Sequence, residues 1–349
     1  MSRFARNYFY NYTAEFPACT GAISSDVIGP SNSSDQREPQ LRQMRRIAGD
    51  TGGWATLTIG GNDVWLSSVV KKCFFTPTFY NYCESQLAKT EARVQSQEFE
   101  QQMMKTYWKI LEQSHIPGFT LVVIDYPQFF NALDTRCNDK SFLTVIGAGE
   151  PKLTVEIRTR INAVIDAMNY RIASFVALTQ FRLDNTGIRK RIRLHKIDDF
   201  YDYNRYCDFV TKEGKDRDWK DDAWFFTLFG SDKDGDGNII PRAQEVGPGI
   251  NVRNLDPAAC EAALKLAEAT GGDFDLACYY RLVLVDHPTF DLAPPHSLSD
   301  FNRDTFKNDF YPKSIAHHKV AESLYMKWHH VWGKCINGGR QTPYLVTYL

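Results

Sequence analysis

Apolar positions along this chain follow two alternating rhythms: short continuous runs that end at glycine, asparagine or aspartate, and longer stretches where they recur every three or four residues. From Ala55 the run ATLTIGGNDVW places β-branched or apolar side chains at Thr56, Leu57, Thr58 and Ile59. That predicts a strand buried in a parallel sheet, and Gly60-Gly61-Asn62-Asp63 then turns the backbone at its carboxyl end. Asp63 to Lys72 reads as a helix. Lys89 to Ser114 carries Val94, Phe99, Met103, Met104, Trp108, Ile110 and Leu111 at mostly three- and four-residue intervals, an amphipathic helix closed by Ile116-Pro117-Gly118. Phe119 to Tyr126 is the next buried strand. A second long helix, Leu153 to Leu178, leads through Asp184-Asn185-Thr186-Gly187 into a strand from Ile192 to Ile197. Residues 209–275 read as inserted, loop-rich material. Tyr280 to Val285 predicts the final strand, ending in Asp286-His287-Pro288, and Ser314 to Trp332 the last helix. Helix and strand alternate, so the expected class is α/β, with helices covering a mostly parallel sheet. No repeat or low-complexity linker divides the chain, and one elaborated domain over residues 1–349 is expected.

Composition narrows the partners. The net charge is −1 and the pI about 6.7, which leaves no long-range field to hold a polyanion; nucleic acid is excluded as a partner despite Arg189-Lys190-Arg191, read as the edge of a strand. No window reaches the roughly 18 apolar residues of a membrane span, and Met1-Ser2-Arg3-Phe4 starts neither a signal peptide nor an anchor. The eight cysteines include no Cys-x-x-Cys pair, which argues against a zinc ribbon and fits disulfides, with Cys73–Cys83 the expected pair. Buried free thiols are the alternative. Asn11-Tyr12-Thr13 and Asn32-Ser33-Ser34 are acceptor sequons consistent with secretion. Asp232, Asp234 and Asp236, with Ile239 at the eighth position, imitate a calcium loop, but Ala243 stands where a bidentate glutamate is needed, and a solvated acidic turn is the reading. No metal and no cofactor are expected.

Two short segments carry the candidate chemistry. Asn62, on its glycine turn, presents an amide to whatever lies over the strand ends, where open α/β sheets place ligands. A fixed donor there suits a developing oxyanion. Upstream, Phe16-Pro17-Ala18-Cys19-Thr20-Gly21-Ala22 and Ser24-Ser25-Asp26-Val27 form a small-residue turn in which Gly21 can bring a backbone N–H close to a substrate. ACTGAISSDV and TLTIGGND together resemble the second and third sequence blocks of the SGNH (GDSL-type) hydrolase superfamily. GFTLVVIDYPQFFN (118–131), the helix from Leu153 to Gln180, FYDYNRYCD (200–208), WFFTLF (224–229) and FYPKSIAHHKVAESL (310–324) extend the likeness, in order and spacing, to secreted fungal lipase-like members over most of the chain.

The resemblance implies a three-layer α/β/α, flavodoxin-like fold and a serine ester hydrolase with Gly21 and Asn62 as oxyanion-hole positions. It also exposes departures. The family's first strand ends in Gly-Asp-Ser, whose serine is the nucleophile; no Gly-Asp-Ser occurs here, and Gly49-Asp50-Thr51 follows a basic helix-like segment, Leu41 to Ile47, and reads as a loop. The first, central strand of a 2-1-3-4-5 sheet is thus missing, as in an amino-terminally truncated version of a longer secreted protein. The family's Asp-x-x-His pair falls on Asn308 and Tyr311, and no Asp-x-x-His occurs anywhere in the chain. A phenol with pKa near 10 is a poor general base at neutral pH, and a neutral amide cannot stabilise an imidazolium. His287 and His296, with Asp286 and Asp291, are candidates for a relocated base, although loop or cap roles fit them better. His317-His318 and His329-His330 lack the i, i+4 spacing of a helical metal site. Two readings follow. One is an ester hydrolase, monomeric and secreted, acting on acyl or acetyl esters of lipid or carbohydrate, with turnover impaired in this chain. The other is a non-catalytic carbohydrate- or lipid-binding module walled by Phe129, Phe130, Tyr203 and Trp224.

Overall fold

A computed structural model describes residues 14–15, 22–29, 40–43, 53–76, 82–114, 118–142, 145–146, 149–225, 232–233, 239–240, 250–270, 275–292, 312–313, 315–324 and 344–348. Its elements in chain order are β1 (Ala14–Glu15), α1 (Ser24–Ile28), α2 (Gln40–Gln43), β2 (Gly53–Leu57), α3 (Leu66–Phe74), α4 (Tyr82–Gln95), α5 (Gln97–Gln113), β3 (Thr120–Ile124), β4 (Val145–Ile146), α6 (Val155–Thr186) and β5 (Arg191–His195). Then come β6 (Asp232–Lys233), β7 (Ile239–Ile240), α7 (Pro257–Thr270), α8 (Leu276–Asp286), β8 (Asp291–Leu292), a helix α9 over 315–324 and β9 (Tyr344–Tyr348).

The main sheet has five strands in the order β1-β9-β2-β3-β5, and every pairing in it is parallel. All five residues of β2 and Leu121 to Ile124 of β3 are buried. Continuous burial requires cover on both faces, which explains why these strands read as unbroken apolar runs. Ile192 and Leu194 of β5 face α6, whereas His195, one residue out of phase, reaches Ser323 on α9. Successive strand side chains point to opposite faces, so α6 and α9 form the two outer layers. The fold is three-layer α/β/α, as the resemblance implies.

The resemblance implies a sheet whose central first strand is missing. Here β9 fills that position, its residues Tyr344 to Tyr348 running in register beside Gly53 to Leu57 and its first part beside β1. An apolar strand with one side unpaired would leave a row of backbone donors and acceptors unsatisfied, and β9 supplies partners for that side of β2.

Several boundaries differ from the sequence reading. Strand β2 begins at Gly53 and stops at Leu57, and the helix after it starts at Leu66 because residues 60–65 form a tight turn. The single helix expected over 89–114 is two, divided at Ser96, whose side chain accepts the Phe99 N–H and so caps α5. Tyr280 to Val285 is helix, part of α8: Asp275 caps its start by accepting from Ala277 and Cys278, and Cys278 is tied to Cys260 of α7. A short apolar run fits a buried helix face as well as a strand, and the cap and the disulfide decide it. Helix α7 likewise gives the supposedly loop-rich stretch a 14-residue element. Helix α6 extends to Thr186 and stops at Gly187, left-handed at φ 71°.

The expected Cys73–Cys83 disulfide is present, and Cys137–Cys207 and Cys260–Cys278 join it. Arg158 is fully buried and donates to the carbonyls of Leu153, Thr154, Asn131 and Asp134 and to Asn138 Oδ1, knitting the 131–138 loop to the start of α6.

Candidate functional site

The carboxyl ends of β2, β3 and β5 lie side by side, and the loops leaving them make the candidate site. After Leu57 the chain turns through Gly60, whose φ of 118° favours glycine. At Gly61 a Cβ would sit 3.2 Å from the Tyr126 ring. That ring belongs there: Tyr126 Oη accepts the Gly61 N–H at 3.0 Å, while Asn169 on α6 accepts from the Tyr126 N–H at 2.9 Å and donates to its carbonyl at 2.7 Å. Three backbone bonds, Val64 to Gly60, Trp65 to Asn62 and Leu66 to Gly61, close the turn. Trp65 pays for this with a left-handed φ of 62°, under the Arg93 guanidinium 5.7 Å from its ring.

This turn holds Asn62 half-buried, its Nδ2 donating to the Ala22 carbonyl at 3.1 Å. The structure therefore brings together Asn62 and the segment that follows Gly21. Gly21 itself, Asn308 and Tyr311 lie outside the described residues. Asp63, buried, accepts from both the N–H and the hydroxyl of Ser24. Burial raises its carboxyl above the ordinary range, against the Ser24 bonds and the Arg93 charge, which lower it.

At the end of β3, Asp125 is 4% exposed and accepts the Ile197 N–H at 2.7 Å, tying the β3 and β5 exits together. Burial pushes its carboxyl up to about 6. His195 closes β5. Its Nε2 lies 2.9 Å from Ser323 Oγ, which in turn lies 2.7 Å from the Val320 carbonyl. The ring stacks on Phe200 at 6.2 Å. Neither Asp125 nor His195 stands out in the sequence; the one available signal is a charged or aromatic residue ending a buried run at the carboxyl side of a strand.

The other histidine candidates fall elsewhere. Because Tyr280 to Val285 is helical, His287 and Asp286 sit at the end of α8 and not at a strand exit, and Asp291 lies in β8, paired with Ile146. His317 and His318 are on α9; His296, His329 and His330 lie outside the described residues. Asp232 pairs with Ile240 in a small hairpin, while Asp234 and Asp236 lie outside the described residues, among which no His, Cys, Asp or Glu group is arranged to hold a metal ion. Of the proposed aromatic walls, Phe129 and Phe130 are buried in the core; Tyr203, 45% exposed, and the partly buried Trp224 are not. A groove of about 460 Å³ runs along the sheet's edge between α6 and β5, lined by Ala173, Ala177, Phe181 and Leu194, with Gln180 and Arg193 across the β5 backbone. It flanks the sheet instead of capping the strand ends.

Fold and site thus define a parallel α/β protein with a polar turn over its strand exits. No protein-family model and no curated protein matches the chain. Among solved structures, it is similar to a phospholipase A1 from Streptomyces albidoflavus NA297, with 21% identity, 60% of this chain and 66% of that one covered and a TM-score of 0.41. It is also similar to an extracellular lipase from Streptomyces rimosus, with 22% identity, 55% and 66% covered and a TM-score of 0.40. The chain spans 66% of the length of each.

Proposed function

We propose that this chain is an SGNH-type hydrolase fold of ester-hydrolase ancestry, with an oxyanion-binding turn and impaired turnover. The observation that carries the reading is Asn62: its amide is tethered to the Ala22 carbonyl at the exit of β2, one residue beyond Gly21. One Nδ2 hydrogen is spent on that tether and the other is left for a ligand oxygen. Such an arrangement stabilises negative charge on a carbonyl oxygen without reorganising. Turnover is limited by Asn308 and Tyr311, which stand where the family carries its acid and base. The ligand class is an acyl or acetyl ester of a lipid or glycan. The three disulfides support an oxidising compartment, and so secretion.

The same substitutions favour the second reading, a non-catalytic binding module, although burial of Phe129 and Phe130 leaves it a smaller aromatic surface than the sequence suggested. Hydrolysis of a short-chain p-nitrophenyl ester tests the proposal. The native protein is expected to run at or near the uncatalysed rate. Rapid turnover that falls on the order of 100-fold in Asn62→Ala would overturn the impairment and leave an active hydrolase. Rapid turnover unaffected by Asn62→Ala would overturn the assignment of the site.

A further inference from the structure

We infer that Asp63 is the positioning residue of this site, clasping the Ala22–Ser24 turn and so fixing the plane of the Asn62 amide. The inference rests on the reading of Asn62 as the ligand donor. Two tethers join the same two segments, which lie 39 and 40 residues apart in sequence. Asn62 Nδ2 donates to the Ala22 carbonyl at 3.1 Å. The next residue, Asp63, takes the Ser24 N–H across both carboxylate oxygens at 3.1 and 3.0 Å and the Ser24 hydroxyl on Oδ1 at 2.5 Å. The two bonds and the short backbone pieces between them close a ring. Asp63 thereby fixes where the Ala22 carbonyl sits, and the Asn62 amide takes its orientation from that acceptor, so loosening the Ser24 bonds loosens the Asn62 tether as well.

The rest of the turn is also bonded. The Ile23 N–H donates to Asp26 Oδ2 and the Ile23 carbonyl accepts from the Asp26 N–H, while Thr106 Oγ1 lies 3.3 Å from the Ser24 carbonyl and 3.0 Å from that of Gln102. On the far side, Arg93 Nε donates to the Asp63 carbonyl at 3.2 Å. Asp63 is 5% exposed and Ser24 fully buried, so neither presents its polar atoms to a ligand. A buried carboxylate is costly unless its oxygens are well supplied with donors, and here Ser24 supplies both. That cost is difficult to account for by packing alone, since a small apolar residue would fill the space; it is accounted for if the turn must be held in one orientation. The ligand such a turn suits is an oxygen carrying partial negative charge, a carbonyl or carboxylate, at the second Nδ2 hydrogen of Asn62.

The test is the side-chain amide resonance of Asn62 in protein labelled with 15N-asparagine, assigned by its disappearance in Asn62→Ala. Asp63→Asn keeps the size and one acceptor; Ser24→Ala removes only the hydroxyl bond and serves if Asp63→Asn does not fold. In both, the Asn62 amide pair should move toward the values of an exposed asparagine, while the Gly61 N–H, held by Tyr126, stays in place. A folded variant whose Asn62 amide is unmoved overturns the inference, as does a shift spread equally over Gly61, which marks general loosening. The readout needs no turnover, so an inactive native protein leaves this inference standing or falling by itself. Where turnover is measurable, Asp63→Asn should lower kcat on the order of 10-fold with KM unchanged; native kcat in Asp63→Asn, with Asn62→Ala slowed on the order of 100-fold, refutes the positioning role and keeps the hydrolase.

Discussion

Replacing Asp125 by asparagine should change how the stability of this protein depends on pH, and in a direction opposite to that of a salt-bridged carboxylate. The carboxyl lies 4% exposed between the exits of β3 and β5, and its pKa stands at about 6 against an ordinary 3.8, chiefly because burial disfavours the charge. Nearby Asp198 and Asp199 push it up, while the Ile197 N–H and Lys196 pull it down. Below about pH 4 the folded and unfolded chains both carry the proton. Between about 4 and 6 the unfolded chain has released it and the folded one has not, so this group's contribution to stability falls as pH rises; above about 6 the fall is complete. At 1.36 kcal/mol per pH unit the change amounts to about 3 kcal/mol. Asparagine keeps an oxygen for the Ile197 N–H and does not titrate. The stability difference between Asp125→Asn and the native protein should therefore move by about 3 kcal/mol in favour of the variant from pH 4 to pH 8. Urea unfolding with disulfides intact measures it, and titrating groups outside the Asp125 cluster, Asp63 among them, cancel in the difference. A difference that is flat over that range, or that moves the other way, refutes the reasoning.

Two further perturbations follow from the same region and from the covalent frame. Gly61→Ala places a methyl 3.2 Å from the Tyr126 ring and should cost about 1–2 kcal/mol by thermal unfolding; Tyr126→Ala in the same chain should recover part of it, and strictly additive losses would show that the two do not touch. Breaking Cys137–Cys207, which closes a span of 70 residues, should cost about 4 kcal/mol, against about 3 for Cys73–Cys83 across 10. A larger loss for the shorter loop, in urea titrations of the Cys→Ser pairs, would contradict the loop-entropy account.

The parts of the fold that the sequence displayed are those whose signals are local. FTLVVIDY reads as β3 because a strand covered on both faces needs no alternation, and α6 ends where Gly187 makes the left-handed turn affordable to the backbone. YRLVLV gave no such help: its fate was settled by Asp275 before it and by a disulfide to another helix. The same distinction runs through the site. Asn62 could be singled out from two glycines beside it, but the grip of Asp63 on Ser24, and the Tyr126 ring that makes Gly61 necessary, join residues 39 and 65 positions apart. Pairings at that range leave no periodic trace. Nor does a short segment such as YLVTY announce which strand it will lie beside.

That last segment sets the order in which the protein can be made. During synthesis β1, β2, β3 and β5 all emerge before β9, and until it arrives the side of β2 that will receive it has no strand from this sheet beside it. Gly53 and Tyr344 lie 291 residues apart and Ala14 and Leu345 lie 331 apart, so the two ladders made by β9 close the largest loops in the sheet. A nascent chain of this kind passes through a stage in which an apolar strand edge is open at the heart of the molecule, and such edges recruit strands from neighbouring chains. How long that edge stays open is a kinetic quantity that the stability of the finished fold does not report.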